Sequence, residues 1–179
     1  MWQFQVCFFT LFFGAAFSQC VYPNPASNLF LKKLLLNGKN WYAQQRFGVP
    51  TGFITEKCWK TSFHLSDIHL DTTVHPSTVY FDERNNKQET KIVANIIGLK
   101  NKYYIPYNNT DYMLTDIKIT HNYVVSQVCD MSKGRSEVLI FTSQKRRNVW
   151  LILKATREAS KFVKLPSPST NTQCGKYPF

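Results

Sequence analysis

Several features that would place the sequence in other protein classes are missing. No C-x-x-C spacing occurs, which argues against a structural zinc site. There are no repeats, no low-complexity tracts and no obvious linker, so the 179 residues favour a single domain. Acidic residues are scarce: 11 Asp+Glu against 22 Lys+Arg give a formal net charge of +11. A field of that sign favours acidic partners such as phospholipid surfaces, sulfated glycans or anionic ligands.

Long apolar runs are also lacking once the first eighteen residues are passed. The run over 6–17 is shorter than the roughly 20 residues that a membrane-spanning helix needs. It ends in Ala16-Phe17-Ser18, which fits the small-x-small pattern of signal-peptide cleavage. We therefore expect a signal peptide at 1–18 and one soluble, secreted domain at 19–179, the alternative being a buried N-terminal strand or an anchor. Secretion without a binding motif argues against a nucleic acid partner.

Cleavage would remove one of the five cysteines and leave Cys20, Cys58, Cys129 and Cys174. An even number of cysteines in an oxidising compartment predicts two disulfides, and four cysteines allow three pairings. Widely spaced partners would close long loops and stabilise the fold by roughly 3–5 kcal/mol per bridge.

Most of the mature chain has the period-two pattern of β-strands, rich in Val, Ile, Thr, Tyr and Phe. Polar turn segments separate about eight such runs, which predicts an antiparallel meander closed as a barrel or sandwich. The predicted strands are 40–47, 55–65, 77–84, 88–99, 101–109, 111–120, 122–131 and 136–144. Two segments have helical spacing instead: one before the first strand, over 24–38, and one after the last strand, over Arg147–Glu158. The tail after residue 163 is predicted to be extended, tied down only if Cys174 is bridged.

Gly38-Lys39-Asn40-Trp41-Tyr42 resembles the start of strand A in lipocalins, where Gly-x-Trp is usual, although the spacing here is one residue longer. The order of helices, strands and signal peptide is similar to theirs. The cysteines resemble those of the salivary lipocalins of blood-feeding triatomine bugs, the triabin, pallidipin and nitrophorin group. Segments 122–131, 137–146 and 160–174 are similar to that group's strands G and H and its Ser-Lys-Phe tail. The resemblance runs from Cys20 to Cys174.

The resemblance implies an all-β fold: an eight-stranded antiparallel up-and-down lipocalin β-barrel, with a short N-terminal helix and a C-terminal helix packed outside. It also implies the pairings Cys20–Cys129 and Cys58–Cys174. Trp41 would close the base of the barrel, reached through a turn at Asn37-Gly38. An arginine near the last strand, Arg146 in preference to Arg147, would lie over the Trp41 ring as a cation–π contact.

A barrel of this size can hold side chains alone or one small ligand. Aromatic residues on several strands, and one acid, are the candidates for lining it: Tyr42, Phe63, Tyr80, Tyr104, Tyr112 and Asp116, with Tyr107 and Tyr123 in addition. The alternative for each tyrosine is ordinary core packing. An inward Asp116 or Glu89 would hold an amine, whereas an inward Arg or Lys would select a fatty-acid or eicosanoid carboxylate.

Three other sets of residues have weaker functional interpretations. His75 lies at roughly the distance after Cys58 at which nitrophorins place their haem ligand, so haem is a possible cofactor. Pro76 and the neighbouring residues differ from the nitrophorin motif. Apart from haem, no cofactor or metal is expected. Ser62 and Ser66 lie near His64 without a nucleophile elbow, so we expect no enzyme activity. A basic cluster at near-helical spacing could bind an anionic membrane or a sulfated glycan, or could simply be a solvated face: Arg147, Lys154, Arg157 and Lys161. Asn108 begins a glycosylation sequon in a predicted loop.

The family resemblance implies a salivary protein that sequesters a small host mediator, a biogenic amine or an eicosanoid, and so counters haemostasis or inflammation. Two alternatives stay open: a protein inhibitor of a clotting protease or of platelet activation, and a haem-based nitric-oxide carrier. The expected partners are a small hydrophobic or amphipathic ligand, and possible further partners are host clotting or platelet proteins or an anionic membrane. We expect a monomer.

Overall fold

The computed structural model describes residues 20, 37–53, 58–64, 68–69, 73–74, 77–81, 86–92, 94–96, 102–171 and 174–176. The predicted signal peptide, nearly all of the predicted N-terminal helix, and His75 lie outside these residues.

Twelve strands form one antiparallel sheet in the part of the chain that the structure describes. They are β1 (Asn37–Gly48), β2 (Cys58–His64), β3 (Ile68–His69), β4 (Thr73–Val74), β5 (Ser77–Phe81), β6 (Lys87–Lys91), β7 (Ala94–Ile96), β8 (Lys102–Tyr107), β9 (Thr110–Ile119), β10 (Tyr123–Asp130), β11 (Arg135–Thr142) and β12 (Pro168–Asn171). The predicted strand 88–99 is divided into β6 and β7, and β3, β4 and β12 were not predicted.

The sheet curls because β1 pairs with both the last long strand and the second one, β11 and β2. The strand order is β3-β4-β7-β8-β9-β10-β11-β1-β2-β5-β6, with β12 beside the second half of β1. Within the described ranges no ladder joins β6 to β7 or to β3. The structure is therefore a curled half-barrel, consistent with the predicted barrel but not shown to be closed.

The two faces of the sheet carry different apolar clusters, as the period of two requires. Inside the curl, Trp41, Phe53, Trp59, Leu139 and Phe141 belong to one buried cluster. On the outer face, Phe47, Ile117, Tyr123, Val125 and Ile140 belong to a second cluster, which includes helix residues.

One α-helix, α1 (Val149–Ala159), contributes the helix residues of that outer cluster. Asn148 caps it: its side chain accepts a hydrogen bond from the Leu151 N–H at 3.0 Å. This cap places the start of the helix two residues later than predicted. Ile152, Ala155 and Ala159 are buried against β9, β10 and β11. No helix in the described ranges is long and apolar enough to cross a membrane.

Both disulfides that the resemblance implies are present. Cys20 is bonded to Cys129 and Cys58 to Cys174, with Cα–Cα distances of 5.7 and 4.9 Å. Cys58 and Cys174 are fully buried beside Tyr42, and β12 pairs with β1. The tail after α1 is therefore tied to the sheet by both a strand and a disulfide.

Candidate ligand-binding site

The inside of the curled sheet contains a small cavity with a mainly apolar lining. About 60 Å³ is open to the centres of water-sized molecules. A water molecule occupies roughly 10–15 Å³ of such volume, so the cavity has space for a few water-sized groups. Its described lining includes Trp41, Trp59, Ile105, Val124 and Phe141. A cavity of this size and lining suits a compact, mostly apolar ligand.

Asp116 is the one charged side chain among the described lining residues, and it is 3% exposed. Its direction is set by an irregularity in the β9–β10 pairing, where Asp116 faces Ser126 but Lys118 faces Val125. Ile117 is thus an extra residue on β9, a β-bulge. Asp116 lies inside the sheet while Ile117 joins the outer cluster.

Two hydroxyl groups hold the Asp116 carboxylate. Ser126 Oγ donates to Asp116 Oδ1 at 2.6 Å, and the hydroxyl of Tyr103 also donates to this carboxylate. Tyr103 as a residue is partly exposed, but its hydroxyl end is enclosed. Neither ion pair found among the described residues includes Asp116. The carboxylate is therefore hydrogen-bonded, and no described residue places a cation in an ion pair with it.

Burial raises the pKa of Asp116 from 3.8 to about 6, although the hydrogen bonds from Ser126 and Tyr103 work in the opposite direction. Burial, followed by the nearby Asp116 charge, also raises the pKa of Tyr103 well above 10.0, so Tyr103 stays a donor. A carboxylate taken from water without a counter-ion is unfavourable. A ligand with a positive charge would supply that counter-ion.

Aromatic side chains form the walls around this carboxylate. The ring centroids of Trp59 and Phe141 lie 4.9 Å apart and those of Phe53 and Trp59 lie 5.4 Å apart, both edge-to-face. The indole Nε1 groups of Trp41 and Trp59 are buried and have no hydrogen-bond partner among the described residues. These donors can bind an acceptor such as a ligand hydroxyl group.

The chain after β1 folds over the cavity and inserts Phe53, which is 1% exposed. Thr51 Oγ1 donates to Glu137 Oε1 at 2.7 Å and accepts from the Phe53 N–H at 3.2 Å. Glu137 Oε2 in turn lies 3.2 Å from Arg46 Nη1. Glu137 therefore neutralises the positive charge of the buried Arg46, so Arg46 does not neutralise the charge of Asp116. Glu137 also holds Thr51 in the segment that carries Phe53.

The predicted lining residues divide between the two faces. Tyr112 is buried in the inner cluster and Tyr80 packs against it. Tyr42, by contrast, lies beside the Cys58–Cys174 disulfide, and Tyr104 is hydrogen-bonded to Asp111, so neither lines the cavity. The side chain of Phe63 lies outside the described residues.

The structure also shows where the remaining candidates for the cavity lining lie. Glu89 is exposed, Tyr107 packs against the inner cluster, and Tyr123 lies under α1. Sequence reasoning missed Tyr103, the neighbour of Tyr104. The period of two puts Tyr103 on the same side as Ile105, but the strand "KYYIPY" does not itself show which side faces inward.

The base of the barrel differs in detail from the prediction. Trp41 is 1% exposed, and the cation over its ring is Lys39, whose Nζ lies 5.4 Å from the ring centroid. Arg146, which the resemblance implied at this position, is exposed and lies beside Gly175. Its contact with the Trp41 ring stays a prediction.

The Asn37-Gly38 pair lies inside β1 rather than in a turn before it. Between Asn37 and Asn40 the pairing with β2 is irregular: Asn37 faces His64 and Asn40 faces Ser62. Three steps on β1 thus match two on β2. The extra residue between Gly38 and Trp41 coincides with this bulge.

Arg147 is not part of the basic cluster that the sequence predicted. It precedes α1, and its guanidinium donates to the Gln44 carbonyl and, at 2.8 Å, to Gln45 Oε1. Lys154, Arg157 and Lys161 are exposed on the outer side of the helical segment. Asn108 is exposed in the two-residue turn between β8 and β9, where its φ is 48°. Its glycosylation stays a prediction.

An antiparallel half-barrel with an interior cavity and an outer helix is a lipocalin-like architecture. One solved structure with a similar fold is the tryptamine complex of the amine binding protein of Rhodnius prolixus, at a TM-score of 0.57 and 13% identity over 80% of each chain. At this identity the similarity shows the fold alone. No protein-family model matches the sequence. No curated protein matches it in sequence either.

Proposed function

We propose that this protein binds a small cationic amine, with the ammonium group on Asp116 and the apolar body against the aromatic walls of the cavity. The observation that carries the proposal is a carboxylate 3% exposed, in a mainly apolar cavity, without a cation among the described residues. An ammonium group would form charge-assisted hydrogen bonds with it and offset the cost of burying its charge.

The charge of the lining separates an amine from the eicosanoid that the sequence left as an equal choice. A fatty-acid carboxylate would be repelled by Asp116, and the buried Arg46 is already paired with Glu137. The small volume also favours a monoamine over a long acyl chain. The indole donors of Trp41 and Trp59, which have no hydrogen-bond partner among the described residues, would favour an amine that carries a hydroxyl group.

The biological role that we propose rests on the family resemblance. A secreted protein that holds one amine per barrel lowers the free concentration of that mediator without turnover, so we propose a scavenger rather than an enzyme. The neighbour of similar fold is described as amine binding and was solved with tryptamine. Removal of a host amine at a bite would counter haemostasis or inflammation.

Calorimetric titration of the mature protein with tryptamine, serotonin and arachidonic acid tests the proposal. We expect binding of one amine per protein and none of the fatty acid. Asp116→Asn should weaken amine binding by at least about 30-fold, since a buried charge pair in a complex is worth roughly 2–5 kcal/mol. Fatty-acid binding, or delayed thrombin clotting without any amine binding, would contradict it.

The adjacent tyrosines of β8 provide a matched pair of variants for the same titration. Tyr103→Phe removes a hydroxyl that holds Asp116, and should weaken amine binding several-fold by roughly 0.5–1.5 kcal/mol. Tyr104→Phe removes an outward hydroxyl near Asp111 and should leave the affinity unchanged. Equal effects of the two variants would place the amine elsewhere.

A further inference from the structure

The outer side of α1 and the turn after it carries a continuous stripe of five residues, which we call the outer stripe. It consists of Trp150, Leu153, Lys154, Arg157 and Lys161. Leu153 and Lys154 follow Trp150 by three and four residues, Arg157 follows them by four and three, and Lys161 comes four residues later, which places all five on one side of a helix. The same five residues, with Glu158, line a shallow groove on the surface. The opposite side of the helix is buried against the sheet, so the stripe faces away from the domain.

The apolar part of the outer stripe is unusually exposed. Trp150 is 83% exposed and Leu153 54% exposed, and Val149, one residue before Trp150, is 55% exposed. A helix that only needed to cover the sheet would place polar residues on its outer side. No described residue covers these side chains, so the packing of the described residues does not explain why they are apolar.

Positive charge lies directly beside these apolar side chains. Lys154 and Arg157 take part in neither of the ion pairs found among the described residues. Lys161 is paired with Glu158 at 2.7 Å, and Glu158 is the single acid among residues 145–164. The stripe therefore presents an excess of positive charge next to an exposed tryptophan, with Glu158 as the one acid in its groove.

We propose that the outer stripe docks on an anionic phospholipid surface. Trp150 and Leu153 would enter the interface between head groups and acyl chains, where tryptophan is favoured, while Lys154 and Arg157 bind lipid phosphates and carboxylates. A sulfated glycan would use the cations but would leave the two apolar side chains in water, so the observations favour a lipid surface.

The position of the stripe keeps docking separate from ligand binding. The helix lies on the outer face of β9, β10 and β11, whereas Asp116 points to the inner face of β9. Docking would hold the protein reversibly at an anionic membrane with its cavity unobstructed. The proposal therefore does not depend on which ligand the cavity takes.

Co-sedimentation of the mature protein with vesicles tests this proposal. We compare vesicles of phosphatidylcholine alone with vesicles that also contain phosphatidylserine, and expect binding only to the second kind, weakened by salt. Lys154→Glu with Arg157→Glu should lower that binding at least about tenfold, at roughly 1 kcal/mol for each basic residue at the surface.

A control with the same change of charge comes from elsewhere on the surface. Lys87→Glu with Lys176→Glu also lowers the formal net charge by four, from +11 to +7. Both lysines are exposed, one on β6 and the other in a short 3-10 helix, Cys174–Lys176, that contacts β1 and β2. Binding within about twofold of the unchanged protein is expected, because neither lysine lines the groove that the outer stripe forms. Equal losses in the two double variants would show attraction by net charge alone and overturn the proposal.

The apolar residues separate a lipid surface from a glycan. Trp150→Gln with Leu153→Gln should reduce vesicle binding about tenfold while retention on immobilised heparin stays the same. The emission of Trp150 should shift to the blue on vesicles, and a Trp150→Phe variant should lack that shift. Retention on heparin without vesicle binding, or vesicle binding that ignores Trp150 and Leu153, would contradict docking on lipid.

Discussion

Asp116 combines burial, two hydroxyl donors and an aromatic enclosure at a single residue. From the sequence it was one of two acids that could hold an amine, and nothing in the pattern separated it from Glu89. The structure separates them, because Asp116 points inward at a bulge and Glu89 is exposed. The sequence likewise could not show which of Tyr103 and Tyr104 faces the cavity. On a strand, neighbouring residues face opposite sides, and only the packing of the sheet decides which side is inner.

The raised pKa of Asp116 predicts a specific dependence of stability on pH. Because the pKa is about 6 in the folded state and 3.8 as the unperturbed value, folding favours the protonated form. The stabilisation from that protonation is complete below about pH 3.8 and is lost as pH rises through about 6. In the absence of ligand, Asp116→Asn should therefore be more stable than the unchanged protein at pH 7.5, by about 2–3 kcal/mol for about two pKa units.

Urea unfolding of the two proteins at pH 7.5 and pH 4 measures this difference. The difference in free energy of unfolding should shrink towards zero at pH 4, because both side chains are then mostly neutral. A difference of the same size at both values would mean that Asp116 does not carry a buried charge.

The first strand, β1, shows how irregular pairing at the scale of an element positions functional parts. Between Ala43 and Gln45 the pairing with β11 shifts, which leaves Gln44 as an extra residue. The side chain of Gln44 donates to the carbonyls of Gln144 and Lys145 at 3.0 and 3.3 Å. The backbone carbonyl of Gln44 accepts a hydrogen bond from the Arg147 guanidinium. The bulge thus joins β1 to the connection between β11 and α1.

This arrangement predicts different effects for two adjacent arginines. Arg147→Ala should lower the free energy of unfolding by about 1.5–3 kcal/mol, since it removes charge-assisted hydrogen bonds to Gln44 and Gln45. Arg146→Ala should change it by no more than about 0.5 kcal/mol, because Arg146 is exposed. Urea unfolding of both variants measures the contrast, and a larger effect of Arg146 would support the predicted cation over Trp41.

At the scale of the whole molecule, two long-range disulfides connect parts of the chain that the sheet alone would leave apart. Cys20 and Cys129 are 109 residues apart in sequence, and Cys58 and Cys174 are 116 apart. The chain-entropy model gives about 5 kcal/mol of stabilisation for each disulfide, and the two values are alike because the two closed loops are similar in length. The second disulfide has an additional role, since it holds the segment that follows β12 against β1 and β2.

Replacing each pair by serine should therefore separate global from local effects. Both Cys20→Ser with Cys129→Ser and Cys58→Ser with Cys174→Ser should lower the free energy of unfolding by several kcal/mol. Only the second pair should make the chain after α1 susceptible to limited proteolysis under conditions where the rest stays folded. A tail that remains resistant in that variant would show that the β12–β1 pairing is sufficient.

By itself, the sequence determined the general architecture, and tertiary pairing decided the site. Alternating residues placed the long strands β1, β8, β9, β10 and β11 near their observed positions, because period two is a local property of the chain. Apolar residues at helical spacing likewise located α1, with a start two residues too early. The inward carboxylate, the hydroxyl of Tyr103, the pairing of β12 and the separation of Arg147 from the basic cluster did not follow from the sequence. Each depends on which face a residue takes after a bulge, or on a partner about a hundred residues away, and neither is encoded in local periodicity.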